Sequence, residues 1–155
     1  MKNLIFSTAL VVTAGAAQAG DYCQLDGTEM FSCTLKNGTR GVTVCNAVWE
    51  NGDKASYGFY KLNGVVEKEI VQDIATLTAT PWNGMGNYIS ESVTFSAGDG
   101  YAYEVWWASE RSAGAQLDGG INVLQDSSVI ANLTCDDGTV TSDLSTLVEM
   151  IDAAQ

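Results

Sequence analysis

Hydrophobic and polar positions alternate along the middle of the chain. In residues 88–96 the odd positions are mostly apolar and the even positions are mostly serine or threonine, and residues 101–109 continue the alternation with four aromatic side chains. A period of two is typical of β-strands, because successive side chains point to opposite faces. The sequence Gly98-Asp99-Gly100 between the two segments is typical of a tight turn, so the pattern predicts a β-hairpin.

The polar positions also indicate the register of this hairpin. A one-residue shift would bury Glu104 against Phe95, and the burial of an unpaired carboxylate is costly. We therefore expect Trp107 in the core, and Trp106 beside Glu104 on an outer face rich in hydroxyl groups. The expected cross-strand pairs are Phe95 with Tyr103, Val93 with Val105, Thr94 with Glu104, and Ser92 with Trp106.

Asn-Gly and Asp-Gly pairs divide most of the chain into short segments rich in β-branched and aromatic residues. Such pairs suit tight turns, because both positions tolerate left-handed backbone. Near the C-terminus the pattern changes, and Leu144, Leu147, Val148 and Ile151 recur at helical spacing after a possible N-cap at Thr141 or Ser142. We predict strands at 29–36, 41–48, 55–62, 64–70, 74–80, 87–97, 101–109, 120–125 and 128–135, with a loop at Pro81 between two halves of the sheet.

These elements predict an all-β fold. Their regular spacing is typical of an antiparallel barrel or sandwich, here of about eight strands with a short C-terminal helix. The sequence does not assign the edge strands. We expect a monomer, although dimers formed by strand addition remain an alternative.

The N-terminus has the features of an export signal. A lysine precedes an apolar core at residues 4–14, and residues 17–19 (Ala-Gln-Ala) form a small-residue cleavage site. The apolar run is too short to cross a membrane as a helix, and Cys23 lies too far from the cleavage site to carry an N-terminal lipid. We predict a signal peptide at residues 1–19, a single β-rich domain at residues 20–155, no membrane anchor and a periplasmic or secreted location.

The four cysteines of an exported chain of this size predict two disulfides. Three pairings of Cys23, Cys33, Cys45 and Cys135 are possible. Because Cys135 lies far from the other three, one bridge must tie the N-terminal region to the last fifth of the chain. Neither a CxxC motif nor the spacing of a zinc site is present.

Charge and the absence of histidine exclude several functions. The chain carries a formal net charge of −12 at pH 7, and −13 without residues 1–19, which contain one lysine and no acid. Such a charge disfavours nucleic acid and would suit a basic partner. A chain with no histidine cannot use Ser-His-Asp or Cys-His catalysis and lacks the usual ligand of catalytic zinc and copper. We expect no enzyme activity, no cofactor and no metal site.

The acidic residues do not change this expectation. Glu91, Glu104 and Glu110 cluster near the hairpin, but neighbouring carboxylates are expected by chance among nineteen acids, and the domain is small for a groove that distorts a sugar ring. Residues 135–143 lack the ligand order of an EF-hand loop.

The outer face of the hairpin is the candidate binding surface. Trp106 would lie there beside Glu104, and sugars and protein partners both bind to flat aromatic anchors. Trp82 and Tyr88 are further candidates for the contact face. The alternative is that the C-terminal helix or the loop carrying Trp82 covers Trp106.

Several segments together resemble a group of small exported bacterial proteins. The segments are MFSCTLKNGTRGVTVC (30–45), YGFY (57–60), PWNGMGNYISESVTF (81–95), GYAYEVWWASER (100–111) and LTC (133–135). That group shares an F-x-C, an NGK-like turn, a further C, a Y-x-F-G and a tryptophan-bearing hairpin. Here Tyr60 replaces the glycine of Y-x-F-G, and Arg40 stands beyond a threonine where a lysine is usual. The resemblance spans about Cys23 to Cys135 and implies a β-rich, disulfide-bonded, exported protein, without a mechanism.

The chain is also loosely similar to periplasmic inhibitors of C-type lysozyme, which are small antiparallel barrels. Their S-G-x-x-Y loop is absent, and SAGDGY (96–101) only approximates it. The sequence thus predicts an exported, non-enzymatic binding or envelope protein with an unknown protein or glycan partner. Inhibition of an envelope-directed hydrolase such as lysozyme is the alternative.

Overall fold

The protein is a sandwich of two five-stranded antiparallel sheets, seen in a computed structural model that describes Cys23 and residues 27–48 and 50–155. The prediction of an all-β fold with a C-terminal helix is confirmed; the sheets do not close into a barrel. The signal peptide predicted at residues 1–19 lies outside the described residues. The strands are β1 (Glu29–Leu35), β2 (Arg40–Asn46), β3 (Lys54–Lys61), β4 (Val66–Asp73), β5 (Thr78–Thr80), β6 (Tyr88–Gly98), β7 (Tyr101–Glu110), β8 (Asp118–Gln125), β9 (Ser128–Thr134) and β10 (Thr141–Ser142), and the helix is α1 (Leu144–Ala154).

The strand order follows from the hairpins. The first sheet runs β10-β1-β2-β3-β4 and the second runs β5-β6-β7-β8-β9, so nearly all neighbours in space are neighbours in sequence. The exception is β10, which returns from the end of the chain to pair Phe31 with Ser142. This pairing and a bridge between Leu35 and Cys135 join the two ends of the domain.

The core lies between the sheets and beneath α1. Tyr57 of the first sheet stacks on Tyr103 of the second, with ring centroids 5.2 Å apart, and meets Phe95 at 5.9 Å. Tyr57 and Phe95 are buried, and burial of one large apolar side chain contributes roughly 1.5–3 kcal/mol. Burial also raises the pKa of the Tyr57 hydroxyl, so this side chain stays neutral.

The chain crosses from the first sheet to the second just after Asp73. The strand predicted at 74–80 is wrong in its first half, because Ile74–Thr76 form a 3-10 turn and only Thr78–Thr80 form a strand. Ile74 and Leu77 are both buried, and their spacing of three matches one 3-10 turn rather than the period of two of a strand. The loop at Pro81 therefore does not join the two sheets, since it connects β5 to β6 within the second.

Two disulfides brace the sandwich, as predicted, and the pairing that the sequence left open is Cys23 with Cys45 and Cys33 with Cys135. The second bridge spans 102 residues and joins β1 to the segment that leaves β9. It therefore links the two sheets. Two disulfides are typical of a protein that folds in an oxidising compartment outside the cytoplasm. Within the described residues, no helix is long and apolar enough to cross a membrane.

The helix α1 covers one end of the sandwich. It buries Leu144, Leu147, Val148 and Ile151, the four positions that the sequence pattern predicted. The N-cap prediction is wrong: the N-cap is Asp143, and Thr141 and Ser142 instead form β10. The Leu144 backbone N–H nevertheless donates to Ser142 Oγ at 3.3 Å. Ser145 then donates to Glu91 Oε2 at 2.5 Å, which ties the first helical turn to β6.

Candidate binding face on the second sheet

The β6–β7 hairpin has the predicted register. Phe95 lies opposite Tyr103, Val93 opposite Val105, Thr94 opposite Glu104 and Ser92 opposite Trp106. Val105 is fully buried, and Tyr103 and Trp107 pack against the core as partly buried rings. The alternate positions therefore form the outer face of the second sheet, and this face carries both Trp106 and Glu104.

A continuous row of hydrogen-bonded side chains crosses this outer face, and we call it the polar row. Glu104 accepts from Ser92 Oγ at 3.0 Å and from Asn122 Nδ2 at 2.6 Å. Asn132 Nδ2 donates to Asn122 Oδ1 at 2.6 Å, and Thr134 Oγ1 donates to Asn132 Oδ1 at 3.1 Å. These bonds link side chains from four adjacent strands, so each is held in one orientation before any ligand arrives.

Trp106 lies beside the polar row with its ring on the backbone of the next strand. Gly120 is its cross-strand partner, and a Cβ built at Gly120 would stand 3.0 Å from Cζ2 and 3.1 Å from Cε2 of the indole. The glycine therefore makes room for the ring. Trp106 Nε1 is buried and has no hydrogen-bond partner within the described part of the chain, so packing on the glycine, rather than hydrogen bonding, holds the indole.

The other side of Trp106 faces a shallow depression. The ring leans toward β8, which leaves a volume of about 220 Å³ on the side of β5 and β6. Hydroxyl groups border this volume together with the indole and Glu104. Its lining residues are Thr80, Ser90, Glu91, Ser92, Glu104, Trp106 and Trp107.

Tyr88 lies on the same outer face, at its far end. It is 48% exposed, and its hydroxyl donates to Asp118 Oδ2 at 2.9 Å across β7. This hydrogen bond to the carboxylate is the main reason that the pKa of Tyr88 is raised. Three of the four predicted contact residues, Trp106, Glu104 and Tyr88, thus share one face.

Trp82 has a different position from the other three. Its Nε1 donates to the backbone oxygen of Met85 at 3.1 Å, within the loop that leads into β6. The Arg111 guanidinium lies over its ring at 4.9 Å from the centroid. A cation stacked on an indole at a loop is a local brace, and among residues 27–48 and 50–155 no hydrogen bond joins Trp82 to the polar row.

The sequence pattern missed Gly120, Asn122 and Asn132. The sequence feature that could have identified these residues is the alternation in GGIN (119–122) and ANLT (131–134). It places Gly120 and Asn122 on one face of β8 and Asn132 on the matching face of β9. Asn122, the second partner of Glu104, comes from β8 rather than from the hairpin mate β6, so its identification required the pairing of β7 with β8.

Asp136 holds the turn between β1 and β2. Asp136 accepts from the backbone N–H groups of Asn37 and Gly38 at 2.9 and 2.7 Å and from Thr34 Oγ1 at 2.9 Å. The hydrogen bond from Gly38, supported by the other two, lowers the pKa of Asp136 despite some desolvation. Within the described residues, no group of three or more histidines, cysteines or acids could hold a metal ion.

The segment that approximates the lysozyme-inhibitor loop is the tip of the β6–β7 hairpin. Gly98, Asp99 and Gly100 all have positive φ there. No family model, curated protein or solved structure matches the chain.

Proposed function

We propose that this protein is an exported, non-enzymatic binding protein that holds a neutral glycan against the outer face of its second sheet. The observation that carries the proposal is the indole of Trp106 next to the hydrogen-bonded Glu104 and Asn122. A pyranose ring has an apolar face of C–H groups and an edge of hydroxyl groups. The first would stack on the indole, and the second would bond to the polar row.

Preorganisation supports a small hydroxylated ligand. Because Ser92, Glu104 and Asn122 already hold one another, binding would immobilise little additional side-chain freedom. Carboxylate and amide oxygens have more than one lone pair, so each can accept a further bond from a sugar hydroxyl. A protein partner would instead need a broad apolar centre, and the middle of this face is polar.

The distribution of charge favours a neutral ligand over an anionic one. Basic side chains of the first sheet and its turns, such as Arg40 and Lys61, lie away from the polar row, and Arg111 is at the end of the hairpin against Trp82. The one charged group of the polar row is the Glu104 carboxylate. An acidic sugar would meet repulsion at Glu104 without a compensating cation.

The positions of the carboxylates support binding without hydrolysis. Glu91 lines the same depression as Glu104, but its Oε2 accepts from Trp107 Nε1 at 3.2 Å and from Ser145 Oγ at 2.5 Å. Glu110 is on the outer face but six residues along β7, roughly 20 Å away at strand rise. A glycosidase needs one carboxyl group free to donate a proton and a second to act as base or nucleophile, whereas Glu91 and Glu104 each already accept two side-chain hydrogen bonds.

Binding to soluble neutral and anionic polysaccharides in affinity electrophoresis tests the proposal. The native protein should be retarded in a neutral polysaccharide gel, and Trp106→Ala should lose at least about tenfold in affinity, or 1.4 kcal/mol. Trp82→Ala is the matched control, because it removes an indole that is outside the polar row. Circular dichroism must show that both variants fold. Equal retardation of native protein and Trp106→Ala, or none in any neutral gel, would refute the proposal.

A lysozyme assay separates this function from hydrolase inhibition. If the partner is a glycan, basic lysozyme should keep its full activity in the presence of an excess of the protein. If the protein inhibits lysozyme and the Trp106→Ala variant inhibits it equally, the inhibitory surface lies elsewhere on the molecule.

We also propose that the signal peptide delivers the chain to the periplasm or the medium. Fractionation of expressing cells distinguishes the two locations.

A further inference from the structure

A pocket of about 370 Å³ lies between α1 and the segment that contains β5 and the start of the next loop. Its size is within the range of pockets that hold small organic molecules. It shares only Glu91 with the depression beside Trp106, so it is a second candidate site. Its lining residues are Ala79, Pro81, Glu91, Ser145, Val148, Glu149, Ile151, Asp152 and Gln155.

The lining combines buried apolar side chains with exposed carboxylates. Val148 and Ile151 of α1 are buried, whereas Glu149 and Asp152 of the same helix are exposed. Among the described residues that line the pocket, none is basic. Neither of the two exposed carboxylates has a hydrogen-bond or salt-bridge partner in the described part of the chain. A ligand here would therefore meet an apolar surface bordered by unpaired negative charge.

Glu91 supplies a third carboxylate, and its orientation is fixed. Its Oε2 accepts from Ser145 Oγ at 2.5 Å and from Trp107 Nε1 at 3.2 Å, which holds the group between α1 and β7. Its Oε1 has no hydrogen-bond partner within residues 27–48 and 50–155. Because both bonds are on one oxygen, the other oxygen can accept from a ligand with little further loss of side-chain freedom.

The helix itself adds to the negative potential at the pocket. Asp152 lies in the last turn of α1, and that turn contains no basic residue. The C-terminal end of a helix dipole is negative, so carboxylates are disfavoured there and cations are favoured. A cation bound beside Asp152 would relieve this repulsion.

We propose that this pocket binds a linear alkyl polyamine, which is a chain of methylene groups that carries two or more ammonium charges. The methylene groups would pack on the apolar side chains of α1, and the ammonium groups would pair with the surrounding carboxylates. One metal ion is a poorer match, because among the described residues no three acids converge closely enough to hold it. The formal net charge of −12 also attracts a cation. The proposal does not depend on the glycan function.

Equilibrium dialysis of the exported, processed protein against the labelled triamine spermidine tests the proposal. An ionic strength of about 0.15 M screens diffuse attraction to an acidic surface, so saturable binding of one molecule is expected only if the pocket is a site. The double variant Glu149→Gln/Asp152→Asn should lose at least about tenfold in affinity, because it removes two ammonium–carboxylate pairs. Both residues are exposed, and circular dichroism checks that the variant folds.

The double variant Glu69→Gln/Asp137→Asn is the matched control. It removes the same two negative charges at exposed positions outside the pocket, and it should bind spermidine as the native protein does. Mg²⁺ is the control for charge without an apolar stem, and it should displace far less spermidine than the unlabelled triamine displaces at the same concentration.

Three results would overturn the proposal. Absence of saturable binding would show that the pocket does not take a polyamine. An equal loss of affinity in the two double variants would assign binding to net charge. Displacement by Mg²⁺ as effective as that by unlabelled spermidine would show that the apolar side chains contribute nothing.

Discussion

Trp106 lies on Gly120, its partner across β7 and β8, and the first sheet repeats this arrangement with Tyr60 over Gly41. A Cβ at Gly41 would stand 2.6 Å from Cε2 of Tyr60, just as one at Gly120 would meet the indole. An aromatic ring over a cross-strand glycine shields backbone that the missing side chain leaves bare. In the second sheet the same contact also fixes the candidate binding residue.

Gly120→Ala should lower both stability and ligand affinity. The added methyl group would press on the indole and on the Leu133 carbonyl oxygen, and overpacking of this kind costs about 1–3 kcal/mol. Urea denaturation measures the stability, and affinity electrophoresis measures binding. An unchanged midpoint would mean that the ring moves aside freely, which would contradict a fixed position for Trp106.

Removal of the disulfides should have unequal effects. The Cys33–Cys135 bridge closes a loop of 102 residues and the Cys23–Cys45 bridge one of 22, which corresponds to about 4.7 and 3.4 kcal/mol of chain entropy. The double variant Cys33→Ala/Cys135→Ala should therefore unfold at a lower denaturant concentration than Cys23→Ala/Cys45→Ala. Equal midpoints for the two double variants would contradict this ranking.

Asp136→Asn should lower the free energy of unfolding at neutral pH and change it little in strong acid. The native hydrogen bonds lower the pKa of this carboxyl below its unfolded value of about 4. Its stabilising effect is complete above that value and is lost as pH falls through the native pKa. Urea midpoints from pH 7 to pH 2 should converge for the native protein and the variant.

The neighbouring acid provides the control for that experiment. Asp137→Asn makes the same change of charge beside Asp136, but the described residues show no turn bonded to its carboxylate. Its midpoint should stay close to that of the native protein at each pH. A loss as large as that of Asp136→Asn would show that net charge, rather than the hydrogen bonds to Asn37 and Gly38, is responsible.

Ser145→Ala should loosen α1 from the sandwich. The Ser145 hydroxyl donates to Glu91 Oε2, which also accepts from Trp107 Nε1. Loss of a hydrogen bond to a charged group costs about 1.5–3 kcal/mol. Hydrogen exchange of the first helical turn is the direct measurement, and Ser145→Thr, which keeps the hydroxyl, should retain most of the protection.

Local pattern was enough to predict most of the strands, the α1 face and the β6–β7 register. The register followed from one carboxylate, because Glu104 could not be buried opposite Phe95. Other features depended on contacts between distant segments. Periodicity does not reveal the order of the strands in a sheet. That order is needed to predict the disulfide pairing, the hydrogen bonds from Asn122 and Asn132, and the packing of Trp106 on Gly120. The 3-10 turn at Ile74 was missed because an i, i+3 pair is too short to outweigh its β-rich flanks.

The pairing of β10 with β1 has a consequence for biogenesis. β1 is among the first strands to be synthesised, but β10 and Cys135, the partners of β1 and of its Cys33, are almost the last. Until then Cys33 is a free thiol close in sequence to Cys23 and Cys45, with which it can form the wrong bridge. Native assembly must therefore wait for the whole chain to arrive, and a truncated chain that ends before Cys135 would retain a reactive thiol.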